Sequence, residues 1–107
     1  RTRAGQSLED AFAVAAQSTP IVAVGINCCA PSDVQAAVEI AVGVTGKPAV
    51  AYPNSGEAWD AANRRWTGGA SNSMTLGKGW TTAGARFVGG CCRVGPADIA
   101  ALAQATR

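Results

Sequence analysis

The sequence predicts an α/β protein with parallel strands, and three observations carry that prediction. Short apolar runs rich in β-branched residues, such as 21–26 (Ile-Val-Ala-Val-Gly-Ile), lack polar alternation; such runs suit strands covered on both faces of a parallel sheet. Helical stripes separate these runs, so the order reads α, β, α, β, irregular α, β, α. Alternation of this kind implies right-handed crossovers. The third observation concerns completeness. Three strands cannot cover both faces and both edges of a parallel sheet, and the chain opens on a helix with no strand ahead of it. The expectation is one domain that is a piece of something larger, such as the last part of an eight-unit barrel.

Each element has a local reason. Ser7-Leu8-Glu9-Asp10 predicts a helix start, with Ser7 capping free N–H groups and two acidic residues at the positive end of the helix dipole. Leu8, Phe12, Ala15 and Ala16 recur at helical spacing, and Pro20 closes the segment. The first strand, 21–26, runs into the turn Asn27-Cys28-Cys29-Ala30-Pro31. Ser32 is the expected cap of a second helix, with Gln35 at the capping-box position. Val34, Ala37, Val38, Ala41 and Val42 form its apolar stripe, and Gly46 and Pro48 mark the exit. Ala49-Val50-Ala51-Tyr52 is the second strand. Between Glu57 and Gly69, Trp59, Ala62 and Trp66 suggest one face of a short irregular helix. Residues 68–73 read as a loop by composition. A helix over 74–83 is expected to break at Gly77 and Gly79. Arg86 to Gly90 is the third strand and leads into Cys91-Cys92. Pro96 suits a first helical turn, followed by Asp98, Ile99, Leu102 and Ala103.

Composition removes several classes of function. Nine basic and seven acidic residues leave a net charge of +2, with no run of Lys or Arg; nucleic acid and membrane surfaces are not expected partners. No apolar run approaches the roughly 20 residues that span a bilayer, and the first ten residues lack an apolar signal core. A cytoplasmic setting is expected. The chain has no histidine, so any metal site or acid–base group must use other side chains. Serine triads, phosphate-binding loops and dinucleotide-binding motifs are absent from the sequence.

The chemistry therefore concentrates on four cysteines in two adjacent pairs, Cys28-Cys29 and Cys91-Cys92. Both pairs directly follow expected strands, the end where α/β folds build their sites. Thiolates are soft ligands that suit tetrahedral zinc, and three of them leave one position open. Adjacent cysteines in a regular strand face opposite ways, so Cys91 and Cys92 can share an ion only if the strand ends near them, as Gly89-Gly90 suggests. Three readings remain open on the residues alone: a catalytic zinc, a structural four-cysteine zinc that also uses Cys29, and cysteines that serve packing or redox roles. Gly25 and Gly90 are candidates for exposing backbone amides to a small ligand, or for tight turns. Asn27 is a candidate to brace the metal loop or contact substrate. Tyr52 and Asn54 end the second strand and are candidates to line the pocket. Packing is the expected role of the three tryptophans rather than a cation–π cage, and helix starts are the expected role of Glu57 and Asp98.

Three segments carry a family resemblance: Gly25-Ile26-Asn27-Cys28, Tyr52-Pro53-Asn54-Ser55-Gly56-Glu57, and Gly89-Gly90-Cys91-Cys92-Arg93. Together with Pro96-Ala97-Asp98-Ile99 they resemble the homocysteine S-methyltransferase family over essentially the whole chain. The resemblance implies a zinc-dependent (β/α)8 TIM barrel, of which this chain is the C-terminal portion, about strands 6–8 with their helices. Residues 1–107 would then be a partial homocysteine-binding domain, with the N-terminal part of the barrel as its missing partner. The resemblance also implies that Cys28, Cys91 and Cys92 hold Zn(2+), with Cys29 outside the ligand pattern. The implied reaction moves a methyl group from a sulfonium donor, S-methylmethionine or S-adenosylmethionine, to L-homocysteine. Betaine- and methylcobalamin-linked enzymes share the metal motifs and are the alternative.

Overall fold

The computed structural model describes residues 1–71 and 73–107; Asn72, within the loop expected over 68–73, lies outside the described residues. Helix α1 (Leu8–Ala16) starts as its sequence dictates: Ser7 is extended, and its Oγ accepts the Asp10 N–H at 3.0 Å. Strand β1 (Val24–Asn27) begins three residues later than expected. Val22 is 79% exposed and Ile21 is also exposed, so β-propensity there has no neighbour to pack against. The bond that starts its pairing with the second strand runs from Val24 N–H to the Pro48 carbonyl at 3.2 Å.

Helix α2 (Val34–Thr45) corrects the expected cap at Ser32. A 3-10 turn, Pro31–Asp33, precedes it, and its N-cap is Asp33 without a side-chain bond. Pro31 has its φ fixed near the helical value, so winding starts before Ser32 and places that residue inside the turn. Gly46 ends α2 with φ 65° and returns its N–H to the Val42 carbonyl at 2.8 Å, the left-handed stop that glycine allows.

Strand β2 (Ala49–Tyr52) has the expected bounds. The next segment does not. The irregular helix expected around Trp59, Ala62 and Trp66 is an antiparallel hairpin, β3 (Ala58–Asp60) and β4 (Arg65–Thr67), pairing Ala58 with Thr67, Trp59 with Trp66 and Asp60 with Arg65. The Asp60 carboxylate accepts both the backbone and side-chain N–H groups of Asn63, and Arg64 takes φ 51°. An Asx-type bond and a left-handed residue close a four-residue loop as β-turn chemistry requires.

Helix α3 (Gly77–Ala83) follows a second 3-10 turn, Ser73–Leu76, and runs through Gly77 and Gly79 unbroken. The absence of a Cβ is what the packing uses. A Cβ at Gly77 would overlap the Leu102 side chain, and one at Gly79 would stand 2.9 Å from the Gln35 amide oxygen. Strand β5 (Ala85–Val88) and helix α4 (Pro96–Ala105) complete the chain. Asp98 serves the α4 start as expected, accepting the Gly95 N–H at 2.8 Å.

The three longer strands form one parallel sheet in the order β1-β2-β5. The register pairs Asn27 with Tyr52 and Ala51 with Val88, after an irregularity at Ala49/Val50. It therefore brings the C-terminal ends of all three strands to one rim. The core lies on one side, where Val34, Val38 and Ala41 of α2, Trp80 of α3 and Leu102 of α4 bury Ala49, Ala51 and Ala85. Coverage of both faces, expected from the apolar runs, is not what the chain shows: Phe87 is 57% and Tyr52 40% exposed on the other face. All the helices that pack on this sheet lie against the alanine side. Among the described residues no helix is long and apolar enough to cross a membrane.

Candidate metal centre

The rim is assembled by hydrogen bonds that the strand ends dictate. Asn27 is the last residue of β1, and Cys28 follows with φ 55°, a left-handed conformation unusual for a residue with a side chain. Its N–H donates to the Tyr52 carbonyl at 3.3 Å. The reversal separates the adjacent thiols: Cys28 is exposed at the rim, whereas Cys29 packs against the core. The Cys29 carbonyl accepts the Asn54 N–H at 2.9 Å.

The second pair comes from the loop after β5. That strand stops at Val88, before Gly89-Gly90, so Cys91 and Cys92 are free of strand alternation. Cys91 N–H donates to the Pro53 carbonyl at 2.8 Å, and Cys92 N–H to Asn54 Oδ1 at 3.1 Å. Ser55 N–H returns to the Cys92 carbonyl at 3.0 Å. Arg93, with φ 66°, turns the chain away. The exit of β2, residues 53–55, is thus the scaffold that holds both cysteine loops.

The Sγ atoms of Cys28, Cys91 and Cys92 all lie within 4.8 Å of one another. The separation is 3.5 Å for Cys28–Cys92 and 3.9 Å for Cys91–Cys92. Three thiolates at tetrahedral angles and bond lengths of ~2.3 Å would sit about 3.8 Å apart, so the donor set fits one ion. Its electrostatics agree. Hydrogen bonding from Cys28 pulls the Cys91 thiol below its ordinary pKa, and bonds from Cys92 and Asn27 add to this. Hydrogen bonds with Cys28 and Cys91, with burial and their charges adding, push Cys92 up to about 11. One thiolate is thus favoured and the next is opposed, as expected for like charges sharing a site without a cation. Cys29 stands outside the cluster, and burial, followed by the charge of Asp33, raises its pKa.

The other sequence candidates fall in several places. Asn27 ends β1 directly before Cys28, and its side chain helps to lower the pKa of the Cys91 thiol. Asn54 lines the groove beside the cysteines and fixes the Cys92 amide. Tyr52 contributes its carbonyl to Cys28. Gly25 and Gly90 answer to close packing: a Cβ at Gly25 would overlap the Val50 carbonyl, and one at Gly90 would overlap the Val94 side chain.

Sequence reasoning missed two features. Glu57 caps no helix. It accepts Arg93 Nε and Nη2 at 3.1 Å each and the Ser55 hydroxyl at 2.8 Å. Both residues lie in the segments that carry the resemblance, and their opposite charges were the available signal. The second feature is aromatic. Trp80 is buried packing as expected, at 1% exposure. Trp59 and Trp66 instead form a tilted pair, with centroids 5.4 Å apart, on a groove of about 490 Å³ that Cys28, Cys92, Asn54 and Glu57 also line.

An α/β chain whose strand-end loops converge three thiols is of the class that builds soft-ligand metal sites on a parallel sheet. The family is narrower than the class. The homocysteine S-methyltransferase profile matches residues 1–106, and the chain belongs to that family. It is 45% identical over 101 residues to the homocysteine S-methyltransferase of Escherichia coli strain K12, covering 92% of this chain and 33% of that protein. It is 38% identical over 102 residues to a selenocysteine Se-methyltransferase of Brassica oleracea var. italica, covering 92% of this chain and 30% of that one. The crystal structure of the Escherichia coli homocysteine methyltransferase MmuM in its metallated form matches with a TM-score of 0.71 and 40% identity, over 92% of this chain and 29% of MmuM. The oxidized form gives 0.72, with 41% identity over 94% and 30%. The chain spans about a third of the length of the curated relatives it matches.

Proposed function

We propose that residues 1–107 are the C-terminal portion of a zinc-dependent, cytoplasmic homocysteine S-methyltransferase barrel. The enzyme would transfer a methyl group from S-methylmethionine or S-adenosylmethionine to L-homocysteine, forming methionine. The observation that carries this reading is the convergence of Cys28, Cys91 and Cys92 within 4.8 Å from two different strand ends. Family membership supports the reaction, and the metallated MmuM structure supports a metal. Three soft thiolates with tetrahedral spacing favour zinc among common ions. The barrel assignment is supported by a sheet that carries its helices on one face, as a barrel wall does.

Zinc held by Cys28, Cys91 and Cys92 would supply acidity to an incoming thiol, which is otherwise mostly protonated near neutral pH. The chain's own residues hold and aim. Asn54 and Pro53 fix the two amides of the cysteine loop, and Glu57 with Arg93 anchors the loop's exit. In the transfer, the thiol proton goes to solvent and a sulfur lone pair forms the new S–CH3 bond. The donor's C–S bond breaks, and its electron pair stays on the departing sulfur, which leaves as a neutral thioether. No strong base from this chain is required.

The test is Cys91→Ala in the intact protein, measuring bound zinc and methyl transfer to homocysteine. The expected result is loss of stoichiometric zinc and a fall in rate of at least about a hundredfold, the upper range for disturbing the shell around a metal site. Retention of both would end the assignment.

A further inference from the structure

The groove beside the cysteines has a wall that neither the metal nor its ligands explain. Trp59 and Trp66 are cross-strand partners at the centre of the β3–β4 hairpin. Such a pair ordinarily turns its rings onto a core. Here Trp59 remains 52% exposed, and the rings meet at 59°. Both residues line the same groove as Cys28 and Cys92. The other polar groups lining it are Asn54 and Glu57, an amide and a carboxylate. Arg93 is not among the lining residues, and its guanidinium is taken up by Glu57.

These features specify a ligand. Aromatic faces attract cations whose charge is spread over carbon substituents, because such cations lose little hydration on leaving water. Three thiolates outweigh the charge of any divalent ion they hold, while the Glu57 carboxylate is offset by its pair with Arg93. The groove therefore selects for positive charge and against negative charge. We propose that the Trp59–Trp66 hairpin is the donor subsite, binding the sulfonium head of the methyl donor by cation–π contact and presenting its methyl group to the cysteine rim. This inference rests on the reaction proposed above and assigns the donor end of that reaction to two residues. After transfer the donor is a neutral thioether, so the attraction that held it is gone. The same wall that binds the donor thereby favours release of the product.

The experiment compares wild type, Trp59→Phe and Trp59→Leu in the intact, zinc-loaded protein. KM is measured for S-methylmethionine, for S-adenosylmethionine and for homocysteine. Leu keeps an apolar cross-strand partner for Trp66 without a π face, and Phe keeps a weaker one. The expected result is a donor KM raised roughly tenfold by Leu and about threefold by Phe, with homocysteine KM changed less than about twofold. An effect confined to one donor assigns the groove to that donor. An unchanged donor KM overturns the proposal, as does an equal rise in both substrates' KM, which would mean a purely structural hairpin. Tryptophan emission gives a readout independent of turnover. Titrating the protein with S-methylmethionine should perturb emission more strongly than neutral methionine does. If wild type transfers no methyl from either donor, the reaction assignment fails. If in addition emission does not distinguish sulfonium from thioether, the subsite fails with it.

Discussion

The cysteine rim and the tryptophan hairpin face one groove, but they are held in opposite ways. The rim is tied to the sheet. Cys28, Cys91 and Cys92 each have their backbone N–H committed to the exit of β2, through Tyr52, Pro53 and Asn54. The hairpin is held by itself, through three cross-strand pairs, the ring contact and the Asp60–Asn63 turn. An ion with fixed bond lengths needs donors already in position, whereas a diffuse cation is satisfied by a face that moves slightly. The difference teaches that precision at this site is imported from the sheet, while ligand preference rests on a local insert.

The largest expected effect comes from cutting the rim's tie to β2. Asn54→Ala removes the acceptor of the Cys92 N–H without touching a thiol. Metal affinity should fall about 10- to 100-fold, as for other groups that orient metal ligands. Competition against a chelator of known affinity measures it. Unchanged affinity would mean the cysteine loop is positioned by something other than β2.

A smaller effect follows from crowding the same loop. Gly90→Ala places a methyl group against Val94, which packs on the core. Stability measured by denaturant should drop about 1–3 kcal/mol, the usual range for overpacking. An unchanged midpoint would show that the loop can shift, and would weaken the contrast with the hairpin.

The same contrast decides what was legible in the sequence. The rim was legible because its residue types leave few options. Strand, glycine and paired cysteines at two strand ends can converge in a parallel sheet, and the register of β1, β2 and β5 brings them together. The hairpin was not legible because Trp59 and Trp66 are seven residues apart. That spacing is two helical turns, and it is equally the span of the second cross-strand pair out from a four-residue loop. The signals that separate the two, Asp60 with Asn63 and a left-handed Arg64, are turn chemistry rather than periodicity. Ser32 misled for a related reason: Pro31, one residue earlier, started the winding. Coverage of both faces could not be read from apolar runs either, because a run says what a strand tolerates and not what packs on it.

The smallest expected effect lies where the two regions meet. Glu57, at the root of the hairpin, holds Arg93 at the exit of the cysteine loop. Arg93 is half exposed, so solvent screens the pair and its contribution is small. Its sign is fixed. The hydrogen bonds from Arg93, then from Ser55, hold the Glu57 carboxyl below its ordinary value of 4.5 in the folded protein. A group depressed on folding adds stability that is fully present above its unfolded value and is lost as pH falls through the lower folded value. Wild type should therefore exceed Glu57→Gln in stability above about pH 4.5, and the gap should close on further acidification. Denaturant midpoints of the metal-free proteins at pH 7 and at successively lower pH follow it, without proton competition for the thiols. High salt should narrow the gap at pH 7. A gap that persists unchanged in acid would show that Glu57 acts through neutral hydrogen bonding to Ser55, leaving the hairpin and the rim mechanically independent.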